Sequence, residues 1–241
     1  MEEFRAETEG AGVGGIVHVH GAEPDPVAET VWLEGMAMAH GGPDAIVGAC
    51  RLAAADAPEQ LRRHARSSHF RGVRDLSVAK EIDVQAIAPA MAALAELDLC
   101  AELRVPIERF GVLRELADAW PAVRLVLNHG ALPPQRTEDA FAAWAGAIGE
   151  IAAAPNVVCK ISTVVGNAQP DWTVDSIRPW VLGCVEAFGP DRCMLGSNWP
   201  LDRPFGGYLE VMGAHRQVLA DLSVEEQHDV LHRTAERTYR F

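Results

Sequence analysis

The chain has 241 residues, 49% of them hydrophobic and 23% charged, with a formal net charge of −13; that is enough chain for one sizeable α/β domain, expected to span residues 1–241. No Lys/Arg run forms a basic patch, so neither nucleic acid nor an anionic membrane is expected as a partner, and no apolar stretch reaches membrane-span length. The acidic start "MEEFRAETEG" lacks a secretory apolar region, and Cys50, Cys100, Cys159, Cys184 and Cys193 show no CxxC spacing, which together predict a reduced, cytoplasmic protein.

After that acidic N-terminal segment, short β-rich runs alternate with longer helical patterns. The runs are "GIVHVH" (15–20), "DAIVGACRL" (44–52), "FRGVRDL" (70–76), "LDLCAEL" (97–103), "VRLVLNH" (123–129), "NVVCKIS" (156–162) and "RCMLGSN" (192–198). Apolar residues at three- and four-residue spacing fill the segments between them. Two more helical patterns close the chain, the second opened by Ser223 and Glu226 at capping-box spacing. Strict β-α alternation predicts a parallel sheet with right-handed crossovers, either an open doubly wound sheet or a (β/α)8 barrel of the TIM type. Polar residues at strand ends (Arg74, Glu102, His129, Lys160 and Asn198) favour the barrel, which gathers all those ends on one face. Seven strands are legible where a closed barrel needs eight, so the expected barrel is incomplete.

The stretches "RLVLNHGALPP" (124–134) and "RCMLGSNWPLDR" (192–203) are buried strands that end abruptly in polar residues followed by Gly or Pro. Two readings of His129 stay open at this point. It polarises a carbonyl, moves a proton or binds a metal, or it merely caps its strand.

Those two stretches, with "FRGVR" and "VVCKIST", resemble the amidohydrolase-related family that includes sugar lactonases, over a span from about Phe4 to Phe241. The resemblance implies hydrolysis of a small lactone, sugar-derived or carboxylated, with a small molecule as the partner. His129 matches the family's histidine after a mid-barrel strand. Arg74 matches the arginine of the "GVR" motif, whose planar fork suits a carboxylate, and Lys160 a basic or polar position two strands before the end. Asn198 stands where established members carry an aspartate that activates water. An amide cannot take a proton near neutral pH, which makes Asp202, four residues on, the reserve base. Its plain alternative is a loop salt bridge between Asp202 and Arg203. A divalent metal, zinc or manganese, is optional in the family, and no complete ligand set is legible here. By the same match, His18 and His20 fall on the family's second strand, facing the barrel interior or its mouth. The "HVH" pair is then a decoy for a first-strand metal motif, with His20 close enough to the catalytic face to touch a substrate.

A missing first strand implies a chain that starts late, or a shortened relative whose sheet another chain completes, with a homo-oligomer along the open seam as one outcome. It also motivates the competing expectation of a non-catalytic remnant, and a decarboxylase on the same scaffold is a third. Weaker signals are set aside. "GAGVGG" (10–15) precedes a strand and reads as a turn. His228 and His232 read as an exposed helix face, and His64 and His69 as surface residues. Trp32, Trp120, Trp144 and Trp180 read as packing residues, whereas Trp199 is expected to wall the pocket.

Overall fold

Seven strands run in sequence order across one sheet: β1 (Val17–Val19), β2 (Ala45–Ala49), β3 (Phe70–Asp75), β4 (Cys100–Leu103), β5 (Leu125–Asn128), β6 (Val157–Ile161) and β7 (Cys193–Leu195). All seven expected runs are present, each strand shorter than the run that predicted it. The structure, a computed structural model, describes residues 1–21, 24–79, 83–133, 135–166 and 171–241. Pro134, the last residue of the "RLVLNHGALPP" motif, lies outside them.

Around the strands lie α1 (Glu2–Thr8), α2 (Pro26–His40), α3 (Ala57–His64), α4 (Val84–Glu96), α5 (Phe110–Ala119), α6 (Glu138–Ala152), α7 (Val174–Phe188), α8 (Tyr208–Leu219), α9 (Val224–His228) and α10 (Thr234–Tyr239). Their ends follow local chemistry. Asp25 accepts from the Val27 and Ala28 N–H groups to start α2, Pro26 sits where its missing donor costs nothing, and left-handed Gly41 stops the helix. Thr173 with Ser176, and Ser223 with Glu226, form reciprocal capping boxes on α7 and α9. The closing helical pattern does not run as one α-helix, since a π turn at Asp229–Arg233 separates α9 from α10. No helix among the described residues is long and apolar enough to cross a membrane, and all five cysteines are free and buried.

The chain divides into two compact units. One comprises Gly14–Val126, Ala154–Val157 and Glu236–Phe241. In it β1 to β4 pair in parallel, Val17 opposite Ala45 and Arg74 opposite Glu102, over a core that includes Ile46, Val73, Met91 and Leu116. Its last residues return to its own strands. The buried Tyr239 hydroxyl donates to the fully buried Glu102 carboxylate, and Arg71 Nε donates to the Arg240 carbonyl at 3.2 Å. His64 belongs here too, and it is not a surface residue. It lies on the apolar face of α3 with Ala57 and Leu61, stacked on Phe70 and hydrogen-bonded to Thr30 Oγ1 at 2.8 Å and to the Ala49 carbonyl at 3.1 Å. Its charged sequence neighbours concealed that face. Trp32 departs in the other direction. It is 60% exposed, because α2 buries the stripe of Glu29, Thr30, Leu33 and Ala37.

The other unit comprises Met1–Val13, Leu127–Ala153 and Val158–Ala235. Cys159 and Lys160 of β6 stand opposite Cys193 and Met194 of β7. Trp144 and Trp180, with ring centroids 5.1 Å apart, centre its core, and Trp144 Nε1 donates to the Gly130 carbonyl at 2.9 Å.

Candidate active site

In the second unit, the residues just past β5, β6 and β7 leave the sheet through left-handed backbone. His129 (φ 58°), Thr163 (φ 52°) and Asn198 (φ 51°) all adopt a conformation that non-glycine residues rarely take. Such strain persists only where the surroundings enforce it, and it clusters at functional sites. Each bend turns a polar side chain out of the strand alternation. His129 Nδ1 then meets Ser162 Oγ at 2.7 Å, with Ser162 almost fully buried.

One residue further on, Thr163 Oγ1 donates to Asp202 Oδ1 at 3.0 Å, and Asn198 Nδ2 donates to the same oxygen at 2.7 Å. The four-residue spacing of Asn198 and Asp202 has a simple origin. A turn lets the Leu201 and Asp202 N–H groups bond back to the Asn198 carbonyl, which folds Asp202 over the Asn198 amide. The salt bridge between Asp202 and Arg203, the plain alternative, does not form. Arg203 is held by Glu3 and Glu7 instead. Asp202 Oδ2 has no hydrogen-bond partner among the described residues, and Asp202 lines a small cleft with Ser197, Trp199, Arg203, Gly206 and Tyr208. Burial pushes the Asp202 carboxyl above its ordinary value, against the pull of the Asn198 and Thr163 bonds. One oxygen clamped by two donors and the other without a partner is a geometry suited to taking a proton from water.

Lys160 enters the same unit from β6, its stem running past Gly196, whose missing Cβ would lie 3.6 Å from Lys160 Cγ. Trp199 walls the Asp202 cleft, its Nε1 donating to Glu7 Oε2 at 2.8 Å. Asn128, next to His129, is buried with neither its amide nitrogen nor its oxygen hydrogen-bonded among the described residues. Ser162, Thr163 and Gly166 were not singled out from the sequence, although the polar pair closing "VVCKIST" carried the signal. Gly166 matters because a Cβ there would lie 2.7 Å from Thr163 Oγ1 and 2.9 Å from Asp202 Oδ1.

The remaining expected residues sit in the first unit. His18 stands opposite Ile46, and both His18 and His20 contact Glu29 on α2. The His20 imidazole contacts the Glu29 carboxylate, which also accepts from the Gly21 N–H at 3.1 Å, while His18 Nε2 lies 3.5 Å from it. The histidine contacts and the Gly21 bond hold the Glu29 carboxyl below its ordinary value in spite of burial. Arg74 donates through one terminal nitrogen to the His20 carbonyl, and its buried Nε has no partner among the described residues. No three His, Cys, Asp or Glu side chains among the described residues group so as to hold a metal ion. The "HVH" pair is turned to a carboxylate on α2.

A family model described as amidohydrolase matches residues 1–241. Protein y4mH of Sinorhizobium fredii is 32% identical over 254 aligned residues, covering 100% of this chain and 85% of that protein. An L-fucono-1,5-lactonase of Burkholderia ambifaria is 34% identical over 168 residues, 68% of this chain and 58% of that enzyme. Among solved structures, an amidohydrolase of Burkholderia multivorans, crystallised with HEPES in one form and with zinc in another, superposes with a TM-score of 0.88 at 26% identity over 100% of this chain and 88% of its own. The seven parallel strands with their helices are thus an incomplete (β/α)8 barrel of the amidohydrolase type. With the match extending from the first residue to the last, the chain belongs to the amidohydrolase family and is a hydrolase of that superfamily.

Proposed function

We propose that the chain opens a small lactone, sugar-derived or carboxylated, with Asp202 as the base. The observation that carries this reading is the Asp202 carboxylate, one oxygen clamped by Asn198 and Thr163 and the other without a partner among the described residues. Likeness to an L-fucono-1,5-lactonase supports the substrate class. In the proposed sequence, Asp202 takes a proton from water as the water oxygen bonds to the lactone carbonyl carbon. His129, oriented by Ser162, donates a hydrogen bond to the carbonyl oxygen as negative charge develops on it. The tetrahedral intermediate then collapses, the ring C–O bond breaks, and the ring oxygen takes the proton back from Asp202 to leave a hydroxy acid. Asn198, unable to accept the proton itself, aligns Asp202. Lys160 and Trp199 are proposed to contact the substrate's hydroxyls and apolar face; Arg74, whose Nε has no partner among the described residues, is proposed as a carboxylate binder within its own unit. His20, in contact with Glu29, remains a proposed substrate contact within its own unit.

A lactone panel in a pH-indicator assay tests the reading, because the product acid releases a proton. Ring opening is expected for the wild type and is lost in His129→Ala and Asp202→Asn. Turnover that survives both substitutions sinks the proposal, and release of carbon dioxide without ring opening assigns the scaffold to decarboxylation instead.

A further inference from the structure

The helix α1 lies against the segment that carries Asp202 through a set of charged and aromatic contacts. Arg203 donates through Nη2 to Glu3 Oε1 at 2.6 Å and to Glu7 Oε1, and through Nε to Glu7 Oε2 at 3.2 Å. Its guanidinium also lies 4.9 Å from the centroid of the Trp199 ring, whose Nε1 bonds Glu7. Phe4 meets Trp199 edge-on at 5.0 Å and Tyr208 at 6.0 Å. Behind α1, Arg216 of α8 donates to the Ala11 carbonyl.

Arg203 adjoins Asp202 in sequence, and both line one cleft. Its ordinary partner would be that carboxylate, yet the contacts of Asp202 are with neutral donors alone, Asn198 and Thr163. The other charged or titratable groups near Arg203 are Glu3 and Glu7 on α1, Tyr208 in the cleft, and Glu210 beside Gly206 on α8. Among the described residues only the α1 carboxylates pair with it. An opposite charge a few ångströms from a carboxylate stabilises its ionised form and makes it a poorer base. We propose that Glu3 and Glu7 are positioning residues that sequester Arg203 on α1, which keeps its guanidinium off Asp202 and leaves that carboxylate free to take a proton. The proposal rests on the reading of Asp202 as the base.

The test follows the Asp202 carboxyl directly, by carbon-13 NMR titration of aspartate-labelled protein, with the Asp202 signal assigned by its loss in Asp202→Asn. In the Glu3→Gln/Glu7→Gln double variant Arg203 is released, and the Asp202 midpoint falls by about one pH unit or more. Adding Arg203→Gln to that variant restores the wild-type midpoint, a rescue that a merely structural role for α1 would not give. The acid limb of kcat/KM on a lactone moves the same way. A double variant that titrates like the wild type, or a shift that Arg203→Gln does not reverse, overturns the proposal. Should the double variant fail to fold, two single variants decide. Arg203→Gln is expected to leave the midpoint unchanged, and an upward shift there would mean that Arg203 already acts on Asp202. Glu7→Gln lowers it part of the way, and no movement overturns the proposal. The titration needs no substrate, so an absence of lactone turnover in the wild type refutes the proposed function while leaving this result readable.

Discussion

Gly166→Ala puts the assembly around Asp202 under its most direct strain. The added carbon would sit 2.7 Å from Thr163 Oγ1, 2.9 Å from Asp202 Oδ1 and 3.3 Å from Phe205 Cε2. Both oxygens belong to short side chains joined by a 3.0 Å hydrogen bond, so neither can retreat without breaking it. A hydrogen bond to a charged group contributes about 1.5–3 kcal/mol, and Asp202 keeps its bond from Asn198, so the expected loss is about 2 kcal/mol. At about 2–4 °C per kcal/mol for a chain of this size, the midpoint falls by roughly 4–8 °C. Displacing the base by about 1 Å costs on the order of 100-fold in rate. Scanning calorimetry and lactone ring opening would measure the two effects. Thr163→Ala removes the same bond and clears part of the space, so the double variant should lose less than the sum of the singles. Wild-type melting and turnover in Gly166→Ala would refute the argument, as would full additivity.

Asp202→Asn is expected to lower kcat at least about 100-fold. Because burial raises the Asp202 carboxyl, the ionised form costs stability above the ordinary carboxylate range, so the variant should melt at or above the wild-type temperature at pH 7 and lose that advantage in acid. Wild-type activity, read by the same raised carboxyl, should fall on the acid side at a pH above the ordinary value. Burial pushes the His64 imidazole from 6.5 down to about 4. A depressed histidine keeps its full stability above about 6.5 and loses it as pH falls toward 4, by about 3 kcal/mol at about 1.4 kcal/mol per pH unit. Urea midpoints at pH 7 and 4.5 should show that loss, and His64→Gln should flatten it. Asn128→Leu replaces an amide without hydrogen-bond partners among the described residues by an apolar side chain of similar size, for a gain of about 1–3 kcal/mol; thermal melting measures the gain, and a simultaneous drop in turnover would assign the amide to the substrate.

The strands were legible because parallel strands buried on both faces read as short apolar runs, and their number came out correctly as seven. His129 and Asn198 stood out because each ends such a run abruptly, and Asp202 because the family resemblance put an aspartate where Asn198 stands. The clamp on Asp202 was not legible. Adjacency suggested Arg203 as its partner, whereas the true donors are Asn198, one turn back, and Thr163, on another strand's end. The true partners of Arg203 lie 196 and 200 residues away in sequence, beyond the reach of any local pattern. His64 misled for the opposite reason. Its charged neighbours set the local composition, while the three-residue spacing from Leu61 set its burial. The partner of the "HVH" pair, Glu29, was not legible, because it needed α2 to be in place.

The bond from Tyr239 to Glu102 spans 137 residues of chain. During translation at roughly 5–20 residues per second, Glu102 emerges about 7–27 s before the hydroxyl that will satisfy it. Through that interval a carboxylate destined for a dry interior lacks the hydroxyl that donates to it in the folded chain. The first half of the chain therefore cannot reach its final packing as it leaves the ribosome, and a nascent chain stalled short of Tyr239 should be held open there, within reach of chaperones and proteases.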